Sequence, residues 1–198
     1  MLDRLARSIS ILGHPLLTLP SAMAWLSLMR DTGPIWPTLL GLALIAAAVV
    51  AFSWRQVRRA RWTHIDASEP SERAGLNRAL TWLLVAVTAI ALLRGQRELA
   101  LGAALAAMMV LAARASSRWC KLSLHVAFAV FAAGLLWTWS PTAALVGLAF
   151  AATVAWSRAA LRRHTPRDLV VGAAAGALSA VVYVATIAQW AASGSALA

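Results

Sequence analysis

Negative charge is scarce in this chain. Seven Asp and Glu stand against eighteen Lys and Arg, and charged residues of both signs make up only 13% of 198. A solvated exterior around a soluble domain needs about twice that share. Cysteine is nearly absent too: Cys120 is alone, which rules out an internal disulfide and leaves the redox character of the compartment open. Three of the few acids share one loop and no His-x3-His pair exists, so no metal cage is expected and no cofactor is implied. What the chain has in excess is apolar: 61% of its residues are hydrophobic and its mean hydropathy is +0.73. The bilayer is the natural solvent for such a composition, and the length suits one compact helical domain over residues 1–198.

The net charge of +11 has the sign of a nucleic-acid binder. Its distribution does not fit one, because the arginines sit in short gaps between apolar runs rather than on a solvated face. Arginine at such boundaries fixes topology or meets lipid head groups, so membrane lipids and not nucleic acid are the expected partners. Arg4 and Arg7 before an apolar stretch, with Ser21-Ala22-Met23-Ala24 behind it, imitate a signal peptide. His14, Pro15 and Pro20 interrupt the stretch, and it reads as a retained helix.

A membrane-crossing helix needs roughly 20 mostly apolar residues. Runs of that kind are expected at 9–29, ending in the turn-like Asp31-Thr32-Gly33-Pro34, and at 36–54, with Trp36 and Trp54 as interfacial anchors. A polar segment, 55–77, carries Asp66, Glu69 and Glu72. Two shorter runs, 79–93 and 99–113, read as a helical hairpin whose end arginines snorkel. Runs at 122–139, 142–156 and 169–190 follow, with a tight turn at Ser140-Pro141. The expectation is an all-α polytopic transmembrane bundle of about six to seven spans, since lipid leaves no other open solution for the backbone.

Parity then places the N-terminus and segments 55–77, 114–121 and 157–168 on one face. Fifteen of the eighteen basic residues collect there, leaving Arg30, Arg94 and Arg97 for the other. By the positive-inside rule the crowded face is cytoplasmic, which fits an integral protein of a bacterial inner membrane.

Chemistry concentrates in residues 157–168. Thr165-Pro166-Arg167-Asp168 reads as a helix start, with Thr as N-cap, Pro at the first position and an acid at the third. His164 then stands just outside a helix N-terminus, four residues before Asp168. A carboxylate so placed can hold one imidazole nitrogen and leave the other a better nucleophile. Arg158 offers a fork for phosphate oxygens. A second cluster is Lys121-Leu122-Ser123-Leu124-His125. Ser123 can cap a helix whose free N–H groups make an anion site, and His125, on the same face as His164, is suited to protonate a leaving alkoxide.

Together these segments resemble the type-2 phosphatidic acid phosphatase superfamily, which includes lipid phosphate phosphatases and prenyl diphosphate phosphatases. Residues 157–168 match its Ser-Arg-x5-His-x3-Asp motif at every defined position. Of its Pro-Ser-Gly-His motif Ser123 and His125 remain, with Leu122 and Leu124 in place of proline and glycine; Leu124 still offers a backbone N–H. Of its Lys-x6-Arg-Pro motif only Arg73 is found, with Asp66 at the lysine position and Ala74 at the proline; Lys121 or Arg61 is available to compensate. The resemblance covers roughly residues 50–190. It implies a metal-independent double displacement on a lipid phosphate or prenyl (di)phosphate. His164 attacks phosphorus, Asp168 holds its imidazole and His125 protonates the leaving group. Ser123, Arg158 and Arg73, with Lys121 and the Leu124 N–H, hold the phosphoryl oxygens. Phosphatidic acid, phosphatidylglycerol phosphate and polyprenyl diphosphates are the substrates it suggests.

Other polar residues have plainer readings. His14, in the first apolar run near the active face, reads as a packed or interface histidine, and His64 as interfacial. Asp66, Glu69 and Glu72 balance neighbouring arginines, and Gly172 and Gly176 allow close helix packing. The functional alternative is a non-catalytic anionic-lipid transporter or a scaffold that keeps the phosphatase fold. A phosphotransferase that passes the phosphoryl group to an alcohol other than water is a further one.

Overall fold

A computed structural model of the chain describes residues 2–30, 36–62 and 70–194. The Asp31–Pro34 turn and the readings of His64, Asp66 and Glu69 fall outside the described residues. Eight α-helices account for almost all of what is described, with no strand among the described residues: α1 (Leu2–Leu12), α2 (Pro15–Met29), α3 (Trp36–Arg58), α4 (Pro70–Leu93), α5 (Arg97–Ala115), α6 (Leu124–Leu136), α7 (Pro141–Ala160) and α8 (Pro166–Gly194). The described chain divides into two compact units. One comprises residues 1–33 and 115–198, the other residues 34–114.

Five helical stretches are long and apolar enough to cross a membrane: Leu39–Arg58, Ser71–Leu93, Arg97–Arg118, Pro141–Ala160 and Pro166–Gly194. Counted as one span, the bent pair of α1 and α2 brings the number to six, so the all-α membrane bundle expected from sequence is what forms. Their side chains argue the same way. Leu145, Val146, Val170, Leu178 and Val181 lie on α7 and α8 and are each at least 60% exposed, a surface that water would penalise and lipid does not.

Four of the expected runs shift their bounds. The run 79–93 belongs to a 24-residue helix that begins at Pro70, inside the segment read as polar, and 99–113 extends to Arg97–Ala115. Each hairpin helix is therefore of full spanning length. The run 9–29 is broken at Gly13-His14, where α1 and α2 meet at a 55° bend. The run 122–139 is helical over 13 residues only, about 20 Å, because backbone pairing stops it before Leu124 and the Ser140-Pro141 turn stops it after Leu136.

Short as it is, α6 is the centre of the first unit. α2, α7 and α8 all pack on it, and Val126, Ala127, Phe128, Ala129, Phe131, Ala132, Ala133 and Leu135 are buried. Glycines let the helices approach: a Cβ at Gly176 would collide with the Ala127 carbonyl, and one at Gly134 with Ala180. Phe131 meets the fully buried Tyr183 of α8 edge to face, ring centroids 6.2 Å apart. α1 lies on α7, with Ile9 against the buried cluster of Ala129, Ala151 and Val154. At the end of the unit where α6 and α7 connect, Arg30 Nη2 donates to Thr138 Oγ1 at 2.5 Å and Trp25 meets Trp139. The opposite end therefore gathers the N-termini of α2, α6 and α8 and the C-terminus of α7.

In the second unit α3 packs on α4. Gly75 brings α4 against the buried Trp62 ring, which Phe52 meets edge to face.

Candidate active site

Thr165-Pro166-Arg167-Asp168 forms the helix start its residues call for. The Asp168 N–H donates to Thr165 Oγ1 at 3.3 Å, and the Thr165 N–H donates back to Asp168 Oδ2 at 2.9 Å. This reciprocal box, with Pro166 first in the helix, sets the entry of α8 and aims the loop 161–165. Arg162, with φ of 52°, turns the chain within that loop.

Residues 120–123 run alongside this start as an extended strip. The Lys121 N–H donates to Asp168 Oδ1 at 2.9 Å, the Cys120 Sγ–H to the same oxygen at 3.3 Å, and the Ser123 N–H to the Asp168 carbonyl at 3.2 Å. Lys121 Nζ reaches the Arg163 carbonyl at 3.1 Å. Gly172 makes the approach possible, since a Cβ there would lie 2.6 Å from the Ser123 carbonyl oxygen. The two segments that the sequence marks, 121–125 and 164–168, are thereby fastened together.

The imidazole of His164 is held differently from the expectation. Its Nδ1 lies 3.0 Å from the Lys121 carbonyl oxygen and 3.9 Å from Asp168 Oδ2, so the direct partner is the carbonyl. The carboxylate is engaged instead by three donors, the N–H groups of Thr165 and Lys121 and the Cys120 thiol. A carbonyl only accepts, so Nδ1 must carry the proton, and Nε2 is left with its lone pair. Burial, with the charges of Arg158 and then Lys121 adding to it, pulls the His164 pKa down to about 4. The ring is thus neutral at ordinary pH, and Asp168 stays near enough to favour any positive charge it acquires. Burial and the neighbouring Asp168 carboxylate push the Cys120 thiol pKa up.

Arg158, in the last turn of α7, donates from Nη1 to Ser10 Oγ of α1 at 2.7 Å. Ser123 occupies the N-cap of α6. Its hydroxyl is completely buried and, among the described residues, caps no N–H and has no hydrogen-bond partner. Such an oxygen is costly unless something else takes it up. Leu124 is the first residue of α6, where helix geometry leaves N–H groups without intrahelical acceptors. His125 follows and touches the ring of His14, centroids 5.2 Å apart and nearly perpendicular.

Of the residues expected from sequence, His164, Asp168, His125, Arg158, Ser123, Lys121 and Leu124 all belong to the first unit, on elements that meet at this end. Arg73 does not: it stands half-buried near the start of α4, in the second unit. Sequence reasoning missed Cys120, Ser10 and the Lys121 carbonyl; it put His14 near the active face but read it as a packed or interface residue, and the ring lies against His125. A titratable side chain inside an apolar run is a signal for His14. Ser10 and a backbone carbonyl leave none.

No family model matches the chain, nor does any curated protein or solved structure.

Proposed function

We propose that this protein is a membrane phosphatase that releases phosphate from a lipid phosphate or a prenyl (di)phosphate through a phosphohistidine on His164. One observation carries the reading. The strip 120–125 is bound to the start of α8, so a neutral histidine with a free Nε2 shares one end of an apolar helical unit with an unpartnered serine hydroxyl, a helix N-terminus and Arg158. The Ser-Arg-x5-His-x3-Asp spacing at 157–168 and its resemblance to the type-2 phosphatidic acid phosphatases supply the reaction class.

The chemistry follows from the groups present. The Nε2 lone pair attacks phosphorus, the bond from phosphorus to the lipid oxygen breaks, and His125 gives the departing alkoxide or phosphate its proton. Positive charge develops on the His164 ring, where the Lys121 carbonyl and the Asp168 carboxylate favour it. Arg158, Ser123 and the N–H groups that open α6 hold the phosphoryl oxygens as their charge spreads. Water, deprotonated by His125, then attacks the phosphohistidine; the P–N bond breaks and inorganic phosphate leaves. Lys121 completes the proposed phosphate contacts within this unit. A bacterial inner membrane, with this site on its cytoplasmic face, is the location that the arginine distribution favours, and an acidic lipid made on that face is the corresponding substrate.

The test is phosphate release by the purified full chain in detergent, wild type beside His164→Ala, over a panel of lipid mono- and diphosphates. Release by the wild type, unaffected by a chelator and lost by a factor of at least about 10³ in the mutant, is the expected outcome. Release that persists in the mutant removes His164 from the role of nucleophile. A wild type inert on every lipid favours the anionic-lipid transporter or scaffold.

A further inference from the structure

His14 sits at the break between α1 and α2, and three features of its surroundings are unusual for a packed histidine. First, it is the N-cap of α2: the Leu16 N–H donates to its Nδ1 at 3.2 Å. An Nδ1 that accepts leaves the ring proton of the neutral form on Nε2, so His14 presents an N–H where His164 presents a lone pair. Second, its ring lies against His125, two residues beyond the Ser123 cap. Third, the bend that delivers it is built in. A Cβ at Gly13 would collide with Val154, which is completely buried, and Arg158 from the same helix reaches back to Ser10 one turn earlier. The arm carrying His14 is therefore pinned to α7 at both Gly13 and Ser10.

Three helix N-termini consequently meet here. The His14–His125 contact joins that of α2 to that of α6, and the Ser123–Asp168 hydrogen bond joins α6 to α8. Each end carries partial positive charge, and together they favour an anion more than one would. The buried Ser123 hydroxyl without a partner independently marks this junction as a place where a polar ligand group belongs.

We infer that His14 is a phosphate-contacting residue of this site, donating its Nε2–H to a non-bridging phosphoryl oxygen from the α2 side. The inference rests on the phosphatase reading for its catalytic consequence but not for the contact itself, which any tetrahedral oxyanion of phosphate would make. His14 complements the groups on α6 and α7: it supplies an N–H donor in addition to the Arg158 cation, with its tautomer fixed by the cap.

Two substitutions separate this role from its rivals. His14→Phe keeps an aromatic ring against His125 and removes the donor. His14→Asn keeps an N-cap for α2 and withdraws the reach of the ring. Binding of inorganic phosphate to the full chain in detergent is measured by calorimetry, with lipid phosphate turnover measured beside it, after each variant is shown to elute as the wild type does. Phosphate affinity is expected to fall about tenfold or more in both variants, and kcat/KM by roughly 10- to 100-fold. A His14→Phe protein with wild-type phosphate affinity reduces His14 to a packing role and overturns the inference. A His14→Asn protein that keeps both properties reduces it to a helix cap and overturns the inference as well. If the wild type turns over no lipid phosphate, yet phosphate binding weakens in both variants, the contact stands and the phosphatase reading falls. Turnover by the wild type and by His14→Phe alike, at equal rates, leaves the phosphatase reading standing and removes His14 from it.

Discussion

His164 and Cys120 lie beside the same carboxylate, and their surroundings push both towards the neutral form. For His164 the sign is set by burial and by Arg158 and Lys121, which oppose a second positive charge and hold its pKa at about 4 instead of 6.5. If His164 is the nucleophile, as proposed, the limb of the pH–rate profile that reports it should be flat from neutrality down to about pH 5 and fall tenfold per unit below about pH 4. Unfolding releases the ring to its ordinary value, so the unfolded chain takes up a proton between the two. The native state then loses stability as pH falls from 6.5 towards 4, and a urea titration repeated across that window should show it. Cys120 should resist iodoacetamide at about pH 7.5, with labelling appearing only on unfolding, because its thiol is buried and its pKa raised. Rapid alkylation of the folded protein, read by mass spectrometry, contradicts that environment. At this scale the sequence was partly legible. Spacing disclosed Arg158, His164 and Asp168 because three residues on one continuous segment keep their register whatever the rest of the chain does. The Lys121 carbonyl, which replaces Asp168 as the direct partner of His164, belongs to the backbone of a segment 43 residues away and has no signature.

Helix starts govern the site at the next scale. The Thr165–Asp168 box was readable because it uses side chains whose preference for that position is local, and Ser140, read only as part of a tight turn, proves to cap α7. The ends of α4 and α6 were not readable. Polar residues 70–78 stay helical because helix geometry satisfies their backbone, whereas α6 begins late because Lys121 and Ser123 pair with Asp168, a tertiary event. Gly172 and Thr165 test this separation of local from tertiary control. Gly172→Ala drives a methyl to within 2.6 Å of the Ser123 carbonyl oxygen, and neither backbone can yield freely. A loss of about 1–3 kcal/mol is expected, with activity falling further as the α6 cap is displaced from α8. Thr165→Ala removes one accepted hydrogen bond and should lower stability by about 1 kcal/mol, leaving the strip 120–123 bound to Asp168. Chemical denaturation in detergent, with turnover measured on the same samples, distinguishes the two. Equal losses of activity per kcal/mol in both variants count against a specific place for Gly172 in holding Ser123.

For the whole molecule, the composition alone was enough to give helices and lipid, because no other backbone arrangement closes its hydrogen bonds in hydrocarbon. The pairing of α2, α6, α7 and α8 was not, because small residues allow close contact between many helix pairs and do not choose among them. Orientation is the remaining property of this scale. α7 carries Thr142 near one end and leads at the other into the loop with Arg162; both residues are exposed. On the proposed orientation, 162 is on the cytoplasmic side and 142 on the outside. In a Cys120→Ala background, Thr142→Cys should react with a membrane-impermeant maleimide added to intact cells, and Arg162→Cys only after the membrane is opened. The reverse pattern turns the site outward, keeps the helical arrangement and changes the substrate pool from lipids made inside to lipids presented outside. Labelling of both positions in intact cells denies that α7 crosses at all. The apolar face of α7 weighs against that result, since most of the helix is not buried and would otherwise meet water along most of its length.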